Sequence, residues 1–195
     1  TAITVYLFFY IVKKEEVSWW HFVFFGISSG VGFLSKYNFV LVLVALGSVA
    51  LFIPAYRKRF YTKWLFLSIM IAFCMALPHF LWFISHLDIA TNRTIVRMSV
   101  GQTGSHVVNF LKGSADLFIS TIASLSPFLL FFFPLFKKKF AWNPSRENKA
   151  LIGYITIIFA FLFVMVAISG TTHIKERWLQ PYLVLVPLFL FLHVR

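Results

Sequence analysis

Apolar runs long enough to cross a bilayer recur along the chain, and the turns between them carry lysine and arginine. A crossing needs roughly 20 residues at about 1.5 Å rise each. With 60% hydrophobic residues, 12% charged residues and a mean hydropathy of +0.85, the chain is far more apolar than a soluble domain, which is about 25% charged. It reads as an integral membrane protein, all-α, a polytopic bundle of transmembrane helices. A net charge of +12 would suggest nucleic acid in a soluble chain. Here the basic residues cluster in short loops between apolar runs, which is how inner-membrane proteins fix their orientation, so no nucleic acid is expected. Cys74 is the single cysteine and lies inside an apolar run, so no disulfide can form within the chain.

The run over 19–53 is the informative one. As a single helix it would be about 50 Å long against a hydrocarbon core of about 30 Å. Two helices meeting at Ser35-Lys36-Tyr37-Asn38 fit better. Residues 1–12 read as the tail of a helix, and 64–84, 116–136, 150–169 and 178–193 as further spans. The expectation is about six full spans plus a truncated first helix, in a single transmembrane domain over 1–195. Pro78 and Pro127 or Pro134 are expected to kink or end their helices. Thr1 stands inside an apolar segment with no initiator Met and no basic n-region. The chain is therefore expected to be a fragment whose beginning is missing.

Lysine and arginine in alternate loops set the orientation. Lys13, Lys14, Arg57, Lys58, Arg59, Lys63, Lys137, Lys138, Lys139, Arg146, Lys149 and Arg195 fall on one side. Lys36, Arg93, Arg97, Lys112, Lys175 and Arg177 fall on the other. The positive-inside rule makes the first, richer side cytoplasmic. Trp19, Trp20, Trp64 and Trp142 sit at the predicted cytoplasmic ends, where an interfacial aromatic belt would place them.

On the extracytoplasmic side, chemistry-bearing residues gather from three places in sequence. The hairpin tip brings Lys36 and Tyr37. A long loop over 85–114 brings His86, Asp88, Arg93, Arg97 and His106. The loop after Ser169 brings His173, Lys175, Glu176 and Arg177. Cations converging at one depth suit a phosphate, with lysine as a point charge and arginine as a bidentate fork. Each feature also has a plainer reading. Lys36 can be a snorkelling residue at a helix end. Arg93 and Arg97, four apart, can share a helical face and grip one anion, or can be a solvated basic face against lipid head groups. Glu176 and Arg177 can pair and anchor the next span, or Glu176 can orient Lys175 and Arg177 on a phosphate. Gly26, Gly30 and Gly32, with Ser28 and Ser29, form a small-residue face suited to close helix packing.

Several chemistries find no support. His86 and Asp88 lack the three or four companions of a metal site, and His79 with His86, seven apart, is a weak helical pairing. No Gly-rich phosphate loop, G-x-S-x-G or Cys-x-x-Cys occurs, which removes soluble nucleotide chemistry and the common metal motifs. The 26 phenylalanines read as lipid-facing or packing residues. A flippase or transporter would also line cations along a membrane path, but it usually carries internal repeats, and none is seen.

The segments GVGFLSKYNF, the basic RKRF turn, LPHFLWFISH and THIKERWLQPYLVLVPLF, in that order over about 24–192, resemble the bacterial family 39 glycosyltransferases, relatives of protein mannosyltransferases and of the aminoarabinose transferase. The resemblance implies a membrane glycosyltransferase of the GT-C class in the bacterial inner membrane. Such an enzyme would take a sugar from a polyprenyl-phosphate donor and pass it, with inversion, to a glycan, lipid or protein acceptor on the extracytoplasmic face. Lys36 and Tyr37 would then correspond to the family's lysine-bearing hairpin. Arg93, Arg97, His173, Lys175, Glu176 and Arg177 become candidate contacts to the donor phosphate or the substrate. The resemblance also implies an acidic catalytic base in a first extracytoplasmic loop that precedes Thr1, so no catalytic residue is expected in 1–195.

Overall fold

The computed structural model describes residues 1–87, 104–136 and 145–191. Every regular element among them is a helix. The chain divides into two units, Thr1–Leu87 and Asp88–Arg195.

The first unit contains α1 (Ala2–Lys13), α2 (Trp19–Ser35), α3 (Phe39–Phe52), α4 (Pro54–Phe60) and α5 (Lys63–Ser85). Helices α2 and α5 make its most extensive packing. Two glycines permit it: a Cβ on Gly26 would lie 2.7 Å from the Ser68 carbonyl oxygen, and one on Gly30 3.0 Å from Met75 Sδ. The same interface holds a buried hydrogen bond, Ser68 Oγ donating to the Phe22 carbonyl at 2.6 Å. Small residues that let backbones approach, with a hydroxyl bridging the helices, are the usual means of joining helices in lipid.

The long apolar run does break where expected. Helix α2 stops at Ser35, and Lys36 leaves the helix with φ −155° and ψ 124°. Its carbonyl accepts from Phe39 N–H at 2.9 Å to start α3. Gly32 lets this hairpin close, because the Phe39 ring occupies the space a side chain there would need.

At the opposite end, Pro54 opens α4, which turns 119° away from α3. Proline has no N–H to continue α3 and suits a first helical position. Helix α4 is held from two sides. Phe60 meets Phe8 of α1 and Phe25 of α2 edge-on at 5.0 and 5.6 Å. The Arg59 guanidinium donates to the Val12 carbonyl at 3.3 Å and to that of Lys13 at 2.5 Å. Those are among the last carbonyls of α1, unpaired within the helix and carrying the negative end of its dipole.

The second unit contains α6 (His106–Phe136), α7 (Arg146–Ser169), α8 (Glu176–Leu183) and α9 (Leu185–Phe191). Ser145 caps α7, its hydroxyl accepting from Asn148 N–H at 3.2 Å. Gly170 closes it in the left-handed conformation, φ 62°. Helix α6 packs on both α7 and α8. Phe128, Phe132 and Phe136 of α6 each meet Phe191 of α9 edge-on, at 5.9, 5.3 and 5.6 Å.

The expected six spans are corrected. Among the described residues α5, α6 and α7 are long and apolar enough to cross a membrane, and the bent pair α3–α4 makes a fourth if counted as one span. Helices α2 and α3, at 17 and 14 residues, are about 25 and 21 Å long and fall short of a 30 Å core. The expected last span is interrupted at Val184. Pro187 has no N–H to reach back to Leu183, and its ring crowds that carbonyl. The other prolines act differently: α5 runs through Pro78, and α6 through Pro127 and Pro134. Residues 106–114, expected as part of a loop over 85–114, already belong to α6, which begins at His106.

Candidate functional site

In the first unit the hairpin tip meets the last third of α5. Tyr37 Oη lies 2.5 Å from His79 Nε2, phenol and imidazole sharing one hydrogen bond. The two rings also stack, centroids 5.5 Å apart at 18°. Phe33 and Phe83 fix the Tyr37 ring by edge contacts at 6.0 and 5.7 Å. The stack continues along α5, from His79 to Trp82 at 5.8 Å and from Trp82 to His86 at 4.8 Å. These residues sit three and four apart on α5 and so project from one side of it. Lys36 is exposed next to this ladder.

From the tip an apolar groove of about 600 Å³ runs along the unit. It is lined by one face of each of three helices: Phe25, Ser29 and Phe33 of α2; Val40, Leu43 and Gly47 of α3; and a stripe of α5 from Leu65 to Phe80. Near the tip its wall is Phe33, which touches Tyr37, and Phe80, which follows His79. Phe60 and Tyr61 stand at the far end, with the Tyr61 hydroxyl tied to the Gly47 carbonyl at 2.9 Å. A groove of this kind suits hydrocarbon along its length.

In the second unit the segment between α7 and α8 is laid against α6. Thr171 is fully buried, its N–H donating to Ser169 Oγ at 3.2 Å. Its carbonyl presses on α6 at Gly113, where any side chain would collide with it. Asp116 Oδ2 accepts from Ile174 N–H at 2.5 Å, and Ser120 Oγ donates to the Ile174 carbonyl at 2.8 Å. His173 Nδ1 stands 3.6 Å from the same Asp116 oxygen. Trp178 N–H donates to the Lys175 carbonyl at 2.8 Å and begins α8.

The sequence profile for dolichyl-phosphate-mannose-protein mannosyltransferases matches residues 1–82, the part that carries the hairpin and the groove. The first 82 residues are thus similar to a family of membrane glycosyltransferases. Two bacterial relatives extend the likeness. The lipopolysaccharide core galacturonosyltransferase RgtA of Rhizobium johnstonii is 28% identical over 97% of the chain, and RgtB of the same organism 27% identical over 98%. The chain spans 38% and 39% of the lengths of these relatives. No solved structure matches it.

Lys36 and Tyr37 lie together at the tip, and Tyr37 is tied to His79. His173, Lys175, Glu176 and Arg177 lie on one short segment of the second unit. Glu176 is the first residue of α8, where a carboxylate also favours the helix dipole. Arg93, Arg97 and Asp88 lie outside the described residues. Among the described residues no three His, Cys, Asp or Glu side chains come together as metal ligands. Sequence reasoning discounted His79 and missed Asp116 and Ser120. A signal existed for the latter pair, since a carboxylate and a hydroxyl four apart share a helical face. For His79 the seven-residue spacing to His86 was a weak signal of their shared ladder, but its bond to Tyr37, 42 residues away, left none.

Proposed function

We propose that the protein transfers a sugar from a polyprenyl-phosphate donor to an acceptor on the extracytoplasmic face of the bacterial inner membrane. The observation that carries this reading is the groove of the first unit, apolar along its length, whose wall residue Phe33 touches Tyr37, the residue next to Lys36 and bonded to His79. A polyprenyl phosphate has that shape: a long hydrocarbon and one anionic head. The acceptor oxygen attacks the anomeric carbon as the bond from that carbon to the carrier phosphate breaks, which inverts the centre. Negative charge then grows on the departing phosphate, and a lysine placed there stabilises the transition state more than the ground state. The relatives' names support a uronic acid as the sugar and the core of lipopolysaccharide as the acceptor.

The test is transfer from a polyprenyl-phosphate sugar by the purified full-length protein. Lys36→Ala is expected to lower kcat/KM about 100-fold, the size seen when one donor to developing negative charge is lost. Undiminished transfer by that variant would remove Lys36 from the reaction, and binding of the donor without transfer by the unaltered protein would point to lipid translocation.

A further inference from the structure

The segment 170–175 is irregular backbone pressed against a membrane helix, and backbone in that setting must find partners. Ile174 finds both on α6, the Asp116 carboxylate for its N–H and the Ser120 hydroxyl for its carbonyl. A neutral Asn or Ser would serve an N–H as well, without the cost of partly withdrawing a charge from water. The charge has a second neighbour, however. His173 Nδ1 is 3.6 Å from the same oxygen, and the His173 side chain is 60% exposed against 26% for Asp116. One carboxylate thus touches both the backbone of the segment and the side chain beside it. With Nδ1 turned towards Asp116, Nε2 remains for a group outside, and Lys175 at the end of the segment and Arg177 in the first turn of α8 follow it.

We infer that Asp116 is a positioning residue: with Ser120 it clamps the segment, and its charge orients His173 as part of a preformed cationic surface that binds an oxyanion of the substrate. The inference rests on the function proposed above for the oxyanion, but not for the clamp. Two oxyanions are available on that reading, the carrier phosphate and the carboxylate of a uronic-acid sugar.

The experiment uses the full-length protein in lipid nanodiscs, with Asp116→Asn and Asp116→Ala. Hydrogen exchange over 172–175 reads the clamp. Asn keeps an acceptor for Ile174 N–H, so exchange is expected to stay slow in Asp116→Asn and to become fast in Asp116→Ala, with α7 unchanged in both. Affinity reads the charge. Both variants are expected to weaken binding about threefold to tenfold, the range for a partly exposed charged contact. Polyprenyl monophosphate without sugar and free galacturonate are the two probes, and the one that weakens names the oxyanion. Asp116→Asn matching the unaltered protein with both probes would overturn the orienting role, and unchanged exchange in Asp116→Ala would overturn the clamp. Failure of the unaltered protein to bind either probe would count against the proposed function and against the oxyanion surface together, while the exchange result still judges the clamp. Loss of transfer with intact binding would count against the function alone.

Discussion

Tyr37 and His79 divide the work at the tip. The lysine supplies charge, while the phenol and the imidazole hold each other at 2.5 Å with their rings stacked. Removing the imidazole frees the Tyr37 ring to leave its place between Phe33 and Phe83. His79→Ala is therefore expected to lower kcat about tenfold, the scale on which a misplaced positioning group costs rate. His79→Gln, which retains a hydrogen-bonding end at similar reach, should recover part of it. Steady-state kinetics on both variants checks this, and equal losses would mean that His79 does not act through Tyr37. Lys36 and Tyr37 were legible from sequence because a lone cation in a run too long for one span demands a turn. For Asp116 the spacing to Ser120 was legible but its partner was not, a backbone amide 58 residues away.

At the scale of elements, hydropathy located helices better than it located changes of direction. The break at Lys36 was readable from length alone. The 119° turn at Pro54 and the interruption at Val184 were not, because a proline in the sequence does not say whether a helix turns at it, as before Pro54, or runs through it, as α5 does at Pro78. The basic turn after α3 shows the same limit. Arg57, Lys58 and Arg59 counted equally towards orientation, yet Arg59 also closes the end of α1 and fastens α4 to it. Arg59→Ala is expected to destabilise the first unit by about 1 kcal/mol, from lost helix-end charge and hydrogen bonds. Arg57→Ala, which keeps the Arg59 contacts, is the control. Thermal unfolding in detergent reads the difference, and equal midpoints for the two variants would refute the capping role.

For the molecule in its bilayer, the decisive quantity is the reach of the α2–α3 hairpin. Lys13, Lys14, Trp19 and Trp20 anchor its start at one interface, as basic and aromatic residues do. From there α2 has only 17 residues before Lys36, about 25 Å against a hydrocarbon core of about 30 Å. Spanning from that interface, the tip would stop short of the far surface, and a locally thinned leaflet would relieve the mismatch. Transfer should be faster in vesicles of shorter-chain lipid and slower in thicker ones, and a rate indifferent to thickness would argue against a recessed tip. On the proposed function, a short hairpin would dimple the membrane and so bring water and an outside acceptor down to a carrier phosphate that need not rise to meet them.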